Sequence, residues 1–496
     1  MAICTQRHAK IWARLGVFIV LIGPALMWAL TLTCAGLLHA FDGTPWREAV
    51  ELMPSAITGG AVVVVPVNLS GTRVRCKLLV AFAVCVGVGM FGFMIAILKY
   101  SIVQPVVETL HLDRVSGTLG HIVKQTLLMI LGTMLVQFAY ASILGLIYSS
   151  VEDVDIEYGF RTLVSQQLGG GVSPTFSTRE WKRPKLAVPH VVFGFWGWTF
   201  SLVIISVLDG PLCAILRNCP CLRSTGKTTL RDSIRNFVFL VTVMIPILVI
   251  VAMLVSALSM DMFTPWTFDN AFLAALPCVT GGAAVVYSGS YPELDWDGQC
   301  ILACSSLFGL YLSSAAIGMG SDPLGPIYDT FGLGKHHGDW KYGLAALLIS
   351  TMIGIPLLVG LGSVPLAGLM NAAEGWRFWD GFWWSLSVQL GGGVELTDAK
   401  PSSFLGQLLG TLLASWSIGI SVVSVGVSSA PAVEPLMELL HMKLPEEDII
   451  EIESEICSAA SSCSETLSAD DHCPSELRVC FVDVLAKPFT FNQMRS

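Results

Sequence analysis

Pro54-Ser-Ala-Ile-Thr58-Gly-Gly-Ala-Val62 and Pro277-Cys-Val-Thr280-Gly-Gly-Ala-Ala284 are near-copies, and Val164-Ser-Gln-Gln-Leu168-Gly-Gly-Gly-Val172 is matched by Leu386-Ser-Val-Gln-Leu390-Gly-Gly-Gly-Val394. Thr58 and Thr280 lie 222 positions apart, as do Gly169 and Gly391. Within each half the glycine tracts are 110 positions apart, Gly59 to Gly169 and Gly281 to Gly391. Two motifs held in step at a fixed spacing mark a duplicated architecture. The chain therefore reads as two homologous halves, each holding two related units.

Outward from each tract the anatomy repeats. Ahead of it stands a short aromatic-led stretch: TPWREAVELM, DIEYGFRTLV, TPWTFDNAFLAAL or WRFWDGFWWSLSV. These are too short to cross about 30 Å of hydrocarbon as helices, and suit helices that enter partway. Long apolar runs flank them: Val17–Leu38, Leu78–Leu98, Leu127–Ile147, Leu186–Leu208, Phe237–Leu258, Ile301–Ile317, Tyr342–Leu369 and Leu405–Val427. The expected fold is an all-α integral membrane protein with eight transmembrane helices and four re-entrant pore helices and loops. Four crossings per half is an even number, so the repeats are parallel and the arrangement pseudo-four-fold. The chain divides into a cytoplasmic N-terminus (1–14), a first half (15–216), a basic linker (217–233), a second half (234–430) and an acidic tail (431–496).

Bulk composition agrees. The chain has 496 residues, 53% of them hydrophobic and 13% charged, too little charge to cover a soluble surface of this size. Arg7, Lys10 and Arg14 precede the first apolar run, which reads as an uncleaved helix with a cytoplasmic start. Arg217, Arg223, Lys227, Arg231 and Arg235 put the linker on the cytoplasmic side, whereas Arg179, Lys182, Arg183 and Lys185 oppose that orientation. Glu152, Asp153, Asp155, Glu157, Glu293, Asp295 and Asp297 gather on the other face, where an acidic vestibule would concentrate cations. The net charge of −9 argues against a nucleic-acid partner. The 14 cysteines are scattered, with no metal-ligand spacing, and no nucleophile–base constellation suggests an enzyme. The tail, with PEEDIIEIESEI ahead of a Ser-rich stretch, is a candidate segment for binding a partner.

Gly-rich backbone at membrane depth is tolerated where protein buries it or where it lines water. Four such tracts around one axis would meet both conditions. The expected constriction comprises Thr58, Gly59, Gly60, Ala61 and Val62; Leu168, Gly169, Gly170, Gly171 and Val172; Thr280, Gly281, Gly282, Ala283 and Ala284; and Leu390, Gly391, Gly392, Gly393 and Val394.

The layout resembles the two-pore-domain potassium channels over roughly residues 15–430. The likeness rests on Trp266-Thr-Phe-Asp-Asn-Ala-Phe, on Arg179-Glu-Trp-Lys-Arg-Pro with the aromatic-rich run ending at Leu208-Asp209, and on Val63–Pro66 and Gly89-Met-Phe-Gly-Phe. Those channels are dimers with two pore loops per chain; here one chain carries four, a tandem duplication with degenerate loops, since none has the aromatic of a Thr-x-Gly-Tyr/Phe-Gly filter. The resemblance implies passive conduction of a monovalent cation, K+ foremost, through one chain in the plasma membrane, without a cofactor. Two other readings stay open: a non-conducting, pore-like regulatory subunit, and a Trk/Ktr-type ion transporter, for which Gly354 and Pro356 would break a helix.

Overall fold

The computed structural model describes residues 12–62, 69–98, 119–169, 187–218, 230–281, 296–320, 340–391 and 394–429. Of the expected N-terminal segment 1–14, residues 1–11 lie outside them, as does the tail 431–496, whereas Trp12, Ala13 and Arg14 belong to a helix. The described chain is helical and contains no strand.

Four times over, a long helix is followed by a short one and then by another long one. The first unit holds α1 (Trp12–Asp42), α2 (Trp46–Ile57) and α3 (Val74–Leu98). The second holds α4 (Leu119–Glu152), α5 (Ile156–Gln167) and α6 (Ala187–Asn218). In the third, α7 runs from Leu230 to Phe263, followed by α8 (Phe268–Val279) and α9 (Trp296–Gly320). In the fourth, α10 runs from Trp340 to Glu374, followed by α11 (Phe378–Gln389) and α12 (Phe404–Ser429). All four short helices have 12 residues.

Seven of the long helices are long and apolar enough to cross a membrane, as in a multi-pass membrane protein; in α12 the side chains are described over the apolar stretch Phe404–Gly419. Burial separates the long helices into two kinds. The spans of α3, α6 and α9 are 61–83% buried, whereas those of α1, α4, α7 and α10 are only 17–33% buried. Exposed Leu128, Leu135, Leu258, Phe263 and Leu361 on the second set make an apolar outer surface that suits lipid rather than water.

The inner helices close a four-membered ring: α3 packs on α6, α6 on α9, α9 on α12, and α12 on α3. Glycines permit the short helices to dock against this ring. A Cβ on Gly87 would sit 2.1 Å from the Ile57 carbonyl oxygen, and one on Gly309, 222 positions on, 2.0 Å from that of Val279. Only a residue without a Cβ fits so close to another backbone.

Proline shapes the outer helices. Pro24, Pro246 and Pro356 stand at matched places in α1, α7 and α10, each immediately after a Gly or Ile that closes a π-helical turn. Those turns are Phe18–Ile22, Leu240–Met244 and Ser350–Gly354, closed by N–H groups of Gly23, Ile245 and Ile355 on the carbonyls of Phe18, Leu240 and Ser350. A proline inside a helix lacks the N–H and its ring collides with the carbonyl four residues back; widening the preceding turn by one residue relieves that collision. The Val20 carbonyl, orphaned by Pro24, accepts the Trp196 indole N–H at 3.0 Å. In α4, Met134 occupies the equivalent place and the helix runs through without a π turn. At Gly354 and Pro356 the seventh long helix is thus widened, in the same manner as two others.

Candidate functional site

Each short helix ends in the same backbone. The residues after the last turn, Thr58, Leu168, Thr280 and Leu390, have φ between −97° and −86° and ψ between 7° and 20°. The next residue is a glycine in the left-handed region: Gly59 at 62°, Gly169 at 81°, Gly281 at 69° and Gly391 at 92°. This is the usual glycine termination of a helix, with glycine demanded by the positive φ. The tracts singled out by the repeat are therefore four copies of one turn. Gly60 is also left-handed, at 92°.

The two kinds of turn are held differently. In the first and third units the threonine hydroxyl donates back into its own helix, Thr58 to the Pro54 carbonyl at 2.6 Å and Thr280 to that of Leu276 at 2.8 Å. Thr58 Oγ1 also accepts the Val62 N–H at 3.0 Å, which fixes the chain beyond the glycines. In the second and fourth units leucine replaces threonine, and a buried glutamine precedes it. Gln389 donates to Ser363 Oγ at 2.8 Å; Ser201 on the ring donates to the Gln167 carbonyl and accepts from Gln137 at 3.4 Å. Behind the second turn, Gln166 lies 3.1 Å from His190 Nε2, whose Nδ1 lies 2.8 Å from the Tyr148 hydroxyl.

The turns meet. A Cβ on Gly169 would lie 3.7 Å from Gly281 Cα, and one on Gly391 would lie 3.5 Å from the Gly59 carbonyl oxygen. Thr58, Gly59, Leu168, Gly169, Thr280, Gly281, Leu390 and Gly391 all line one cavity of about 180 Å³, closed laterally by the inner helices through Phe91, Ser201, Ser313, Ser417 and their neighbours. That is room for several waters. Among the described residues no ionisable side chain lines it. Its polarity comes from serine hydroxyls and from the C-terminal ends of four short helices, which carry partial negative charge. Such a chamber favours a cation without holding it by a formal charge.

Of the expected constriction residues, Thr58–Gly59, Leu168–Gly169, Thr280–Gly281 and Leu390–Gly391 come together at the cavity. Gly60 is described just beyond it, with Ala61, Val62 and Val394 buried in the surrounding core. Gly170, Gly171, Val172, Gly282, Ala283, Ala284, Gly392 and Gly393 lie outside the described residues. Among the described residues no group of three or more His, Cys, Asp or Glu side chains could hold a metal. Sequence reasoning passed over Gly87 and Gly309, which seat the turns. Their 222-residue spacing, equal to that of the tracts, was the available signal. No family model and no curated protein matches the chain, so the likeness to two-pore-domain channels rests on the quoted residues alone.

Proposed function

We propose that the chain is a passive cation channel of the plasma membrane, with K+ the foremost permeant ion. Its four units would line a single pore, with eight crossings and four re-entrant helices. The observation that supports this most is the meeting of four left-handed glycine turns, one per unit, around one cavity inside a closed ring of helices. Carbonyls of those turns would replace part of an ion's water shell, and the helix C-termini would stabilise the cation behind them. One chain suffices for the ring. The purified protein in planar bilayers should pass K+ current, and Gly169→Val with Gly391→Val should abolish it, since valine cannot adopt the left-handed turn without strain. A wild-type protein that passes no cation current under any gating condition would remove the channel reading and leave that of a non-conducting regulatory subunit.

A Trk/Ktr-type transporter is the second reading. It is supported by the four helix–short helix–helix units strung along one chain, the layout such transporters share. Flux that saturates with ion concentration as a carrier's does would select it.

A further inference from the structure

Lys77, in the first turn of α3, is 7% exposed, unusual for a lysine. Its ammonium donates to two backbone carbonyls, that of Ser70 at 3.0 Å and that of Leu396 at 2.6 Å, and stands 5.5 Å from the centre of the Trp383 ring. Ser70 belongs to the segment that follows the first glycine turn; Leu396 belongs to the segment that follows the fourth, and Trp383 lies on α11. The same two segments are joined again one residue away, where the Leu69 N–H donates to the Glu395 carbonyl at 2.7 Å. The Leu396 N–H is taken by Ser387 Oγ at 3.0 Å, so the carbonyl that receives the ammonium is itself fixed to α11. Asp380 and Asp398 are near enough to act on the charge through space. The positions equivalent to Lys77 in the other units are Ala187, Gln299 and Gln407, none of them charged.

We propose that Lys77 is a positioning residue, a tethered ammonium ion that occupies a backbone-carbonyl cage and fastens the chain after Gly59 to the chain after Gly391. Two carbonyls and an aromatic face are the partners a small bound cation would take, and the lysine stem delivers that cation permanently. Because the Gly59 and Gly391 turns touch, the clamp fixes their spacing, and on the channel reading above it sets how closely that side of the constriction fits an ion. At the other three junctions between neighbouring units the residue in the place of Lys77 brings no charge.

Hydrogen exchange of the full-length protein in detergent tests the clamp without reference to conduction. Lys77→Ala should speed exchange about tenfold or more in peptides covering Leu69 and Leu396, since hydrogen bonds from a charged donor are lost, while α9 stays unchanged. n-Propylammonium, which restores the missing stem and charge, should return the protection; n-propanol should not. Lys77→Met keeps the stem and should behave as the unrescued alanine variant, which covers the case of an alanine variant that fails to fold. Unchanged exchange in Lys77→Met, or rescue by propanol as effective as by propylammonium, would overturn the clamp. In bilayers, Lys77→Met should lower the preference for K+ over Na+ several-fold. If the wild type passes no current but the exchange pattern and its rescue hold, the clamp stands and only the channel reading falls; if current flows and selectivity is untouched while exchange responds, the clamp does not set the constriction and that part of the proposal is withdrawn.

Discussion

Three of the four seams between an outer helix and the inner helix of the next unit are tight, and one is loose. At the tight seams the outer helix has a proline and a π turn, and a glycine on one side or the other lets the two helices meet. A Cβ on Gly89 of α3 would lie 2.4 Å from Thr351 in the π turn of α10. One on Gly419 of α12 would lie 2.3 Å from Val241 in the π turn of α7. In α1, Gly23 just past the π turn is the small partner, pressed against Thr199 of α6. At the fourth seam α4 has Met134 instead of proline and no π turn, and the residue on α9 at the place of Gly89 and Thr199 is Tyr311. Its hydroxyl reaches across to Thr133 Oγ1 at 3.3 Å and to the Ile130 carbonyl at 3.4 Å. Here a long side chain makes the contact that elsewhere a π turn and a glycine make. Repeats diverge together at a contact because packing density must be kept.

The largest effect should come from filling a tight seam. Gly89→Leu or Gly419→Leu puts a branched side chain where even a Cβ meets Thr351 or Val241 inside van der Waals contact, and should cost about 3 kcal/mol in thermal or denaturant unfolding in detergent micelles. A loss below about 1 kcal/mol would mean that these helices can part without penalty and that the seams are not tight. A smaller effect is expected from carrying the proline to the loose seam. In an ordinary helix Met134→Pro would cost about 3 kcal/mol. In α1, α7 and α10 the same residue is accommodated by a π turn, so α4 should open one too and lose less. Exchange of the amides just ahead of the substituted position would report it, becoming faster over one turn only; a helix that melts over several turns would refute the equivalence of the four outer helices.

The repeat, the helix–short helix–helix units and the meeting point of the tracts were legible because they rest on local signals: apolar runs, Thr-Gly-Gly and Leu-Gly-Gly-Gly, and equal spacing. The seams were not. Pro24, Pro246 and Pro356 share the period of the tracts, but a sequence alone does not say whether an internal proline kinks a helix or widens it, because that depends on what stands beside the carbonyl it displaces. Pro356 alone stands out in the sequence, as a break. Gly89 stands out only as part of a family-like motif, whereas its demand for space comes from Thr351, 262 positions away. Lys77 reads as one more charge near a helix start; what makes it unusual is a carbonyl 319 positions away. Contacts between units carry no periodicity, so the pattern that reveals the units conceals what joins them.

The smallest effect, and the finest test of the comparison, is Tyr311→Phe. The ring stays and only the hydroxyl leaves, so the loss is that of a hydrogen bond, about 0.5–1.5 kcal/mol, and toward the lower end because both contacts are long. Removing the partner instead, Thr133→Val, should cost the same or less, since the Ile130 carbonyl remains to accept the tyrosine proton. The informative quantity is the coupling in the double variant. If the hydroxyl bridge is what holds the loose seam, Tyr311→Phe with Thr133→Val should be less destabilising than the sum of the two, by a few tenths of a kcal/mol or more. Strict additivity would assign the seam to the tyrosine ring and its apolar neighbours. In that case the fourth seam would differ from the others in its filling alone, and the π turn with its glycine and the long side chain would be two ways to make one apolar contact.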